Sequence, residues 1–321
     1  MMDIAHKYGI ELTFFHGKGG TVGRGGNPAL YEAILAHPPN TVHGRFRVTE
    51  QGEMITQNLG QEAIAERTLD LFTAGVLTEK FTPRTLVKKE WIDMMERLSD
   101  VSCKAYRKVV REEPRFVPYF RTATPELELS GLNVGSRPAK RNPKGGVESL
   151  RAIPWVFAWT QTRLNLPTWL GVGEALSKEL HDNPAVLKDM YKNWPWFRTL
   201  IDLLEMILVK SDSVIAENYD KQLVTDKDSI ALGAELREKM QLTAESVLAV
   251  SGNERLQKGN QLLLNSLAVR NPYVDPLNVI QAELLHRLRS DTDYSEEVRQ
   301  EMQDALLITI NGIANGMRNS G

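Results

Sequence analysis

The sequence predicts a mainly α-helical protein with a few strands, folded as one unit over residues 1–321. Apolar residues recur at helical spacing through most of the chain after residue 60, and the strand-like segments are short. No internal repeat, low-complexity tract or composition shift marks a domain boundary. With 321 residues, 42% of them hydrophobic, the chain can bury a large core without disulfide or metal crosslinks.

Four segments are predicted to form strands. Residues 10–15 are β-branched and aromatic, and this run ends at a histidine and a glycine. Residues 45–48 and 54–57 flank a polar turn and predict a β-hairpin. Residues 153–159 are almost wholly apolar, as expected of a strand that is buried on both faces.

After residue 60 the chain is predicted to be mostly helical, apart from one long connection. A short earlier helix is predicted from Pro28 to about residue 36. Residues 119–152 form an irregular segment rich in Arg, Lys, Pro and Gly, far longer than the usual connection of about 4–6 residues, and such loops tend to be functional. The predicted helices span residues 61–76, 84–112, 169–181, 194–219, 228–250, 260–269, 276–288 and 296–317.

Charge and composition exclude several classes of protein. The 39 Lys and Arg against 41 Asp and Glu give a net charge of −2, whereas general nucleic-acid binding needs a basic excess. A single cysteine, Cys103, excludes a disulfide framework, and its helical surroundings predict a buried thiol. No apolar run is long enough to span a membrane, so we expect a cytoplasmic protein.

A glycine-rich loop follows the first predicted strand. Six of the ten residues 17–26 are glycine, and the loop matches neither a P-loop nor a dinucleotide-binding fingerprint. Glycines let consecutive backbone N–H groups point at one anion, and Lys18, Arg24 and His16 add charge or a titratable group. A merely flexible tight loop is the alternative. An anion site is favoured because ordering so many glycines is costly and a spacer needs no cations.

A second basic cluster lies in residues 135–151, just before the apolar run. It includes Arg137 and Arg151, and arginine suits bidentate recognition of phosphate or carboxylate. The alternative is a solvated basic loop that could lie near a nucleic acid. The anion-binding interpretation is favoured here too, because the apolar run would hold Arg151 at the mouth of a core strand.

Other conspicuous residues are predicted to be structural or stay unassigned. The run 194–197, Trp-Pro-Trp-Phe, is predicted to pack at the start of a helix. Glu11, Glu148 and Asp275 are carboxylates with no spacing that indicates catalysis. The spacing of metal ligands is also absent from four histidines, His6, His37, His181 and His286.

Taken in order along the chain, these motifs resemble phosphoenolpyruvate carboxylases. The resemblance begins in the glycine loop and runs to the last residue. It is carried by residues 15–26, 119–125, 135–141, 148–155, 159–163, 166–171, 269–271, 275–279, 281–285 and 317–321.

The resemblance implies the β-carboxylation of phosphoenolpyruvate by bicarbonate, which gives oxaloacetate and phosphate and uses Mg²⁺ or Mn²⁺. It implies an α/β (TIM-like) barrel with parallel strands embedded in many helices, and a homotetramer of the complete enzyme. Arg24 then matches the essential arginine and His16 helps to position the substrates, while Lys18, Arg137 and Arg151 bind phosphate. Such chemistry relies on charge stabilisation and exclusion of water.

The resemblance also implies a regulatory site for aspartate or malate. Lys210, Arg270 and Asn319 match residues that bind these inhibitors, and Arg24 is captured from the catalytic loop. The binding of inhibitor and substrate would therefore be coupled.

The sequence departs from the family in two respects. Lys18 stands where the family usually has arginine, which replaces a planar fork with a point charge. The chain also corresponds to about the last third of a family member, without the catalytic histidine segment and the metal-binding carboxylates. No metal ligand is therefore predicted in this chain, and the amino-terminal portion is an expected partner. The alternative is a non-catalytic, anion-binding regulatory module.

Overall fold

The fold of the described residues is mainly α, as predicted from the sequence. The computed structural model describes residues 2–12, 31, 34–37, 52–81, 86–131, 150, 152–290 and 293–318. Two compact units are present, Met1–Leu86 and Val87–Gly321. No strand is found within these ranges, and no helix in them is long and apolar enough to cross a membrane.

The described residues of the first unit include helices α1 (Met2–Lys7), α2 (Gly52–Leu59) and α3 (Glu62–Phe81). Helix α2 includes residues 54–57, so the predicted hairpin strand is wrong there. Packing explains the difference, because α2 lies against α3 and the buried Thr68 hydroxyl donates to the Asn58 carbonyl at 3.1 Å. Residues 13–15 and 45–48, also predicted as strand, lie outside the described residues.

The second unit is built from helices and short helical turns. A π-helical turn, Lys108–Glu112, and a 3₁₀ turn, Glu128–Gly131, accompany them. The helices are α4 (Lys89–Arg107), α5 (Phe116–Ala123), α6 (Ala152–Gln161), α7 (Leu166–Trp169), α8 (Val172–Asp182), α9 (Pro184–Asn193), α10 (Pro195–Leu208), α11 (Ser213–Leu223), α12 (Lys227–Ser251), α13 (Gln261–Arg289) and α14 (Glu296–Met317).

Helix α6 replaces the strand predicted for residues 153–159. An apolar run of this length is compatible with a buried helix or a buried strand. Here Trp155 and Trp159 pack against Phe120 of α5, with ring centroids 5.0 and 5.1 Å away, and the Thr160 hydroxyl donates to the Val156 carbonyl one turn earlier. The segment is apolar because it is a buried helix.

Several predicted helix boundaries in the second unit are wrong. Helix α5 includes residues 119–123 of the segment predicted as irregular, and α9 lies where no helix is predicted. Residues 194–219 form two helices, because the Asp212 carboxylate caps α11 by accepting from the N–H groups of Val214 and Ile215. Conversely, α13 continues through Pro272 and Pro276, although the sequence predicts a break between two helices there. Its packing against α11 and α14 compensates for the backbone hydrogen bonds that proline removes.

The start of α10 confirms the structural role predicted for residues 194–197. Trp194 stacks on Trp91 of α4 at 5.8 Å, and Phe197 is fully buried. The prediction for Cys103 is wrong, because this thiol is exposed. Helix α4 buries the face that carries Trp91 and Leu98, and Cys103 lies away from that face.

Candidate functional site

Two of the predicted site residues lie in the described part of the chain: Lys210 and Arg270. Both belong to the predicted inhibitor site, and both are in the second unit. The other predicted site residues fall outside the described residues; they are His16, Lys18, Arg24, Arg137, Arg151 and Asn319.

Lys210 lies in the turn between α10 and α11, and its side chain is buried, at 3% exposure. The backbone N–H of Lys210 donates to the Ile207 carbonyl at 3.1 Å, which extends α10 by a tight turn. The cap that Asp212 supplies to α11 stops this turn from continuing as a helix. A break between two helices therefore places a lysine inside the protein.

Arg163 holds the backbone of this turn through two hydrogen bonds. Its Nε donates to the Lys210 carbonyl at 2.9 Å, and its own carbonyl accepts from the Asp212 N–H at 2.9 Å. Arg163 adopts a left-handed backbone conformation, with a φ of 60°, and its side chain is 1% exposed. The Asn165 amide adds a third bond, to the Ser211 hydroxyl at 3.0 Å.

Arg270 and Arg318 come together where α13 packs against α14. The Arg270 guanidinium donates through Nη1 to the Gly316 carbonyl at 2.5 Å and through Nε to the Ser266 carbonyl at 3.1 Å. Arg318 ends α14 in a left-handed conformation, and its N–H bonds to carbonyls of the last turn. Both cations therefore lie at the carbonyl end of α14, which favours positive charge.

We call Arg163, Lys210, Arg270 and Arg318 the cation cluster. Burial lowers the pKa of Lys210 to about 7, and the charges of Arg270 and Arg318 act in the same direction. Burial, with the charges of Arg318 and Arg163, also lowers the pKa of Arg270 to about 10. These shifts identify a site where positive charge is concentrated and poorly solvated, which is the environment that a small anion stabilises.

Asp275 on α13 is the carboxylate that pairs with this cluster within the described ranges. Arg163 Nη1 donates to its Oδ1 at 2.7 Å, and 40% of the Asp275 side chain is exposed. Asp275 and Asp212 also line a groove of about 610 Å³ whose other walls are apolar side chains of α11 and α13.

Sequence reasoning found only half of the cation cluster. The family resemblance predicts an inhibitor-binding role for Lys210 and Arg270, whereas the sequence predicts no role for Arg163 and Arg318. Both missed residues lie in segments that carry the resemblance, 159–163 and 317–321, but their positive φ angles and their contacts depend on the fold. Among the described residues, no three His, Cys, Asp or Glu side chains are close enough to hold a metal ion.

The comparisons with known proteins agree on one family. The profile described as Phosphoenolpyruvate carboxylase matches residues 1–321. The chain is 50% identical to phosphoenolpyruvate carboxylase of Vibrio vulnificus strain YJ016 over 322 aligned positions, which cover 100% of this chain and 36% of that relative.

Two other relatives give the same result. The chain is 52% identical to phosphoenolpyruvate carboxylase of Vibrio atlanticus strain LGP32, over 98% of this chain and 35% of that protein. It is 49% identical to phosphoenolpyruvate carboxylase of Haemophilus influenzae strain Rd, over 100% of this chain and 36% of that protein. The chain thus spans about a third of the length of these curated relatives. It belongs to the phosphoenolpyruvate carboxylase family.

Proposed function

We propose that this chain is the carboxyl-terminal catalytic and regulatory part of a phosphoenolpyruvate carboxylase. Together with the amino-terminal portion, it carboxylates phosphoenolpyruvate with bicarbonate to give oxaloacetate and phosphate. The family match over the whole chain, at about half identity, carries this proposal. The parallel strands and the α/β barrel, the tetramer and the cytoplasmic location are parts of the same proposal.

The catalytic assignment follows the family motifs residue by residue. Arg24 and His16 act at the reacting groups, and Lys18, Arg137 and Arg151 bind the phosphate of the substrate. Mg²⁺ or Mn²⁺ would be held by the amino-terminal portion, where it would supply charge stabilisation to the anionic intermediates. The residues of this chain would contribute fixed cations and exclusion of water.

The regulatory assignment has support from geometry as well as from the family. Lys210 and Arg270 belong to one positively charged cluster, and the pKa of each is lowered mainly by burial and further by the charge of a neighbouring arginine. A dicarboxylate such as aspartate or malate would satisfy several of these cations at once. Arg24 and Asn319 complete the site in this proposal.

The experiment that tests the catalytic proposal measures oxaloacetate formation. The chain is assayed with phosphoenolpyruvate, bicarbonate and Mg²⁺, alone and after co-expression with the amino-terminal portion of a relative. We expect turnover only in the co-expressed assembly, and Arg24→Ala should abolish it. Arg67→Ala, which removes an exposed arginine from α3, is the matched control and should leave turnover unchanged. Absence of turnover in every assembly would contradict the catalytic proposal.

The regulatory proposal is tested by Lys210→Met in the same assembly. This change keeps most of the side-chain volume and removes the charge. A charge-assisted hydrogen bond contributes roughly 1.5–3 kcal/mol, so aspartate inhibition should weaken by about 10- to 100-fold while uninhibited turnover stays near normal. Lys178→Ala, at an exposed position on α8, is the control. Unchanged inhibition in the Lys210 variant would contradict the assignment.

A second candidate function is a non-catalytic, anion-binding regulatory module. The cation cluster favours it, because this cluster is formed within one unit of the chain. Such a module would bind aspartate or malate but show no turnover with any amino-terminal portion. The turnover assay together with a direct measurement of malate binding by calorimetry therefore separates the candidates.

A further inference from the structure

The pairing of Arg163 with Asp275 joins a buried cation to a carboxylate that solvent can reach. The Arg163 side chain is 1% exposed, the Asp275 side chain is 40% exposed, and the two are 2.7 Å apart. A buried arginine without a negative partner is strongly destabilising. Asp275 therefore provides the charge that makes burial of Arg163 tolerable when no ligand is bound.

The same guanidinium also fixes the position of Lys210. Arg163 Nε donates to the Lys210 carbonyl at 2.9 Å, while Nη1 donates to Asp275. Whatever binds Arg163 is thus connected through one rigid, planar group to the turn that carries Lys210. The charge of Arg163 also adds to the effect of burial and of Arg318 in lowering the pKa of Arg270, so Arg163 and Arg270 interact electrostatically.

Asp275 borders an open groove, so its carboxylate is not enclosed on every side. It lies at the edge of the groove of about 610 Å³ that Val214, Pro276 and Val279 also line.

We propose that Asp275 is an internal counter-anion of the cation cluster, which a bound dicarboxylate displaces from Arg163. On this inference, which rests on the proposed inhibitor site, Asp275 lowers the affinity of the site and so sets the ligand concentration at which it responds. The ligand carboxylate takes the N–H donors that Asp275 releases, and no covalent step is involved. Arg163 is then a positioning residue that becomes a ligand-contacting residue once the site is occupied.

The test measures malate binding to the complete chain by isothermal titration calorimetry. Asp275→Asn removes the competing charge and keeps the shape of the side chain. Because the repelling charge is lost close to the ligand, the dissociation constant should fall by about 3- to 10-fold. Asp275→Glu keeps the charge and is the matched control, with affinity close to that of the unmodified chain.

Thermal unfolding provides a second readout, in which the gain in unfolding temperature caused by malate is the part that a merely structural role would not move. Without malate, Asp275→Asn should unfold at a lower temperature, because Arg163 loses its partner. With saturating malate, the gain in unfolding temperature should exceed that of the unmodified chain, because the ligand replaces the missing carboxylate. If Asp275→Asn and Asp275→Ser both fail to fold even with saturating malate, a ligand cannot replace Asp275 and the inference is overturned.

The outcomes separate this inference from the proposed site. If the unmodified chain binds malate and Asp275→Asn binds it equally or more weakly, Asp275 is not a competitor, although the site stands. If neither the unmodified chain nor the variant binds malate or aspartate, the inhibitor site is wrong and the inference falls with it. Tighter binding by the variant, together with the larger thermal gain, supports the inference.

Discussion

Lys210 carries its ammonium group on a side chain that is 3% exposed, in the electrostatic range of Arg270 and Arg318. Burial is the main cause of its lowered pKa, and the two guanidinium groups add to it. At about 7, this pKa lies where small changes of pH alter the charge of the site. A bound dianion stabilises the protonated lysine and raises its pKa again.

The first prediction concerns the pH dependence of malate binding. Below about pH 7 Lys210 is protonated in the free and the bound chain, so affinity should be constant with respect to this group. Above about pH 7 the free lysine loses its proton and binding must restore it, so affinity should fall by up to about tenfold per pH unit. Calorimetry between about pH 6 and about pH 9 checks this, because malate remains a dianion throughout that range.

The control for this prediction is Lys210→Met, whose affinity should be lower but independent of pH in the same window. The pKa of Arg270, at about 10, lies above the window, so this residue stays charged. A constant affinity of the unmodified chain from about pH 7 to about pH 9 would contradict the prediction.

The cation cluster shows why sequence alone could find only part of the site. Lys210 is a lysine near the end of an apolar helix, and without the family motifs nothing would separate it from a structural residue. Arg163 contacts it across 47 positions of sequence, through a left-handed backbone conformation. Periodicity and composition report local structure, whereas this contact depends on how α6, α10 and α11 end.

At the scale of elements, the sequence located helices better than it distinguished buried helices from buried strands. Helix α14 has the predicted bounds, because it is amphipathic and begins at a serine cap. Helix α6 was predicted as a strand because it is apolar on every side, and such a run has no periodicity to measure. The deciding contacts, with the aromatic rings of α5, are absent from the local sequence.

A buried amide network joins the helices that surround the cation cluster. Gln281 of α13 donates to Gln161 of α6 at 2.9 Å and accepts from the Tyr219 hydroxyl of α11 at 2.7 Å. Gln161 in turn donates to the Ile310 carbonyl of α14 at 3.2 Å. Burial raises the pKa of the Tyr219 hydroxyl, so it remains a neutral donor. The network thus fixes four helices with bonds that have no access to water.

The second prediction is that Gln281→Leu destabilises the chain strongly. The change leaves the buried Tyr219 hydroxyl without its acceptor and the Gln161 side-chain oxygen without its donor. Each buried polar group left unsatisfied costs about 1–3 kcal/mol, so the two groups together should lower the free energy of unfolding by roughly 2–6 kcal/mol. Urea unfolding followed by circular dichroism measures this. Gln241→Leu, at an exposed position of α12, should change it by less than about 0.5 kcal/mol. Equal effects of the two changes would contradict the role of the network.

At the scale of the whole molecule, the net charge of −2 conceals a strong local concentration of cations. The cluster unites residues from the ends of α6, α10 and α14 and from the middle of α13, which are far apart in sequence. A net charge close to zero argues against general nucleic-acid binding. It does not reveal a local group of cations as small as this one. The folded arrangement brings positive charges from distant parts of the sequence to one small site.

The third prediction is that residues 87–321 fold by themselves. The main hydrophobic core lies wholly within this unit, from Trp91 to Ala314, and includes the aromatic contacts between α5 and α6. All four members of the cation cluster lie there too. A shortened chain of residues 87–321 should therefore be helical by circular dichroism and unfold cooperatively.

It should also bind malate, with an affinity below that of residues 1–321 if Arg24 contributes as the family motif implies. Equal affinities would show that Arg24 adds nothing to the site in this chain, and a non-cooperative unfolding curve would show that the unit depends on residues 1–86.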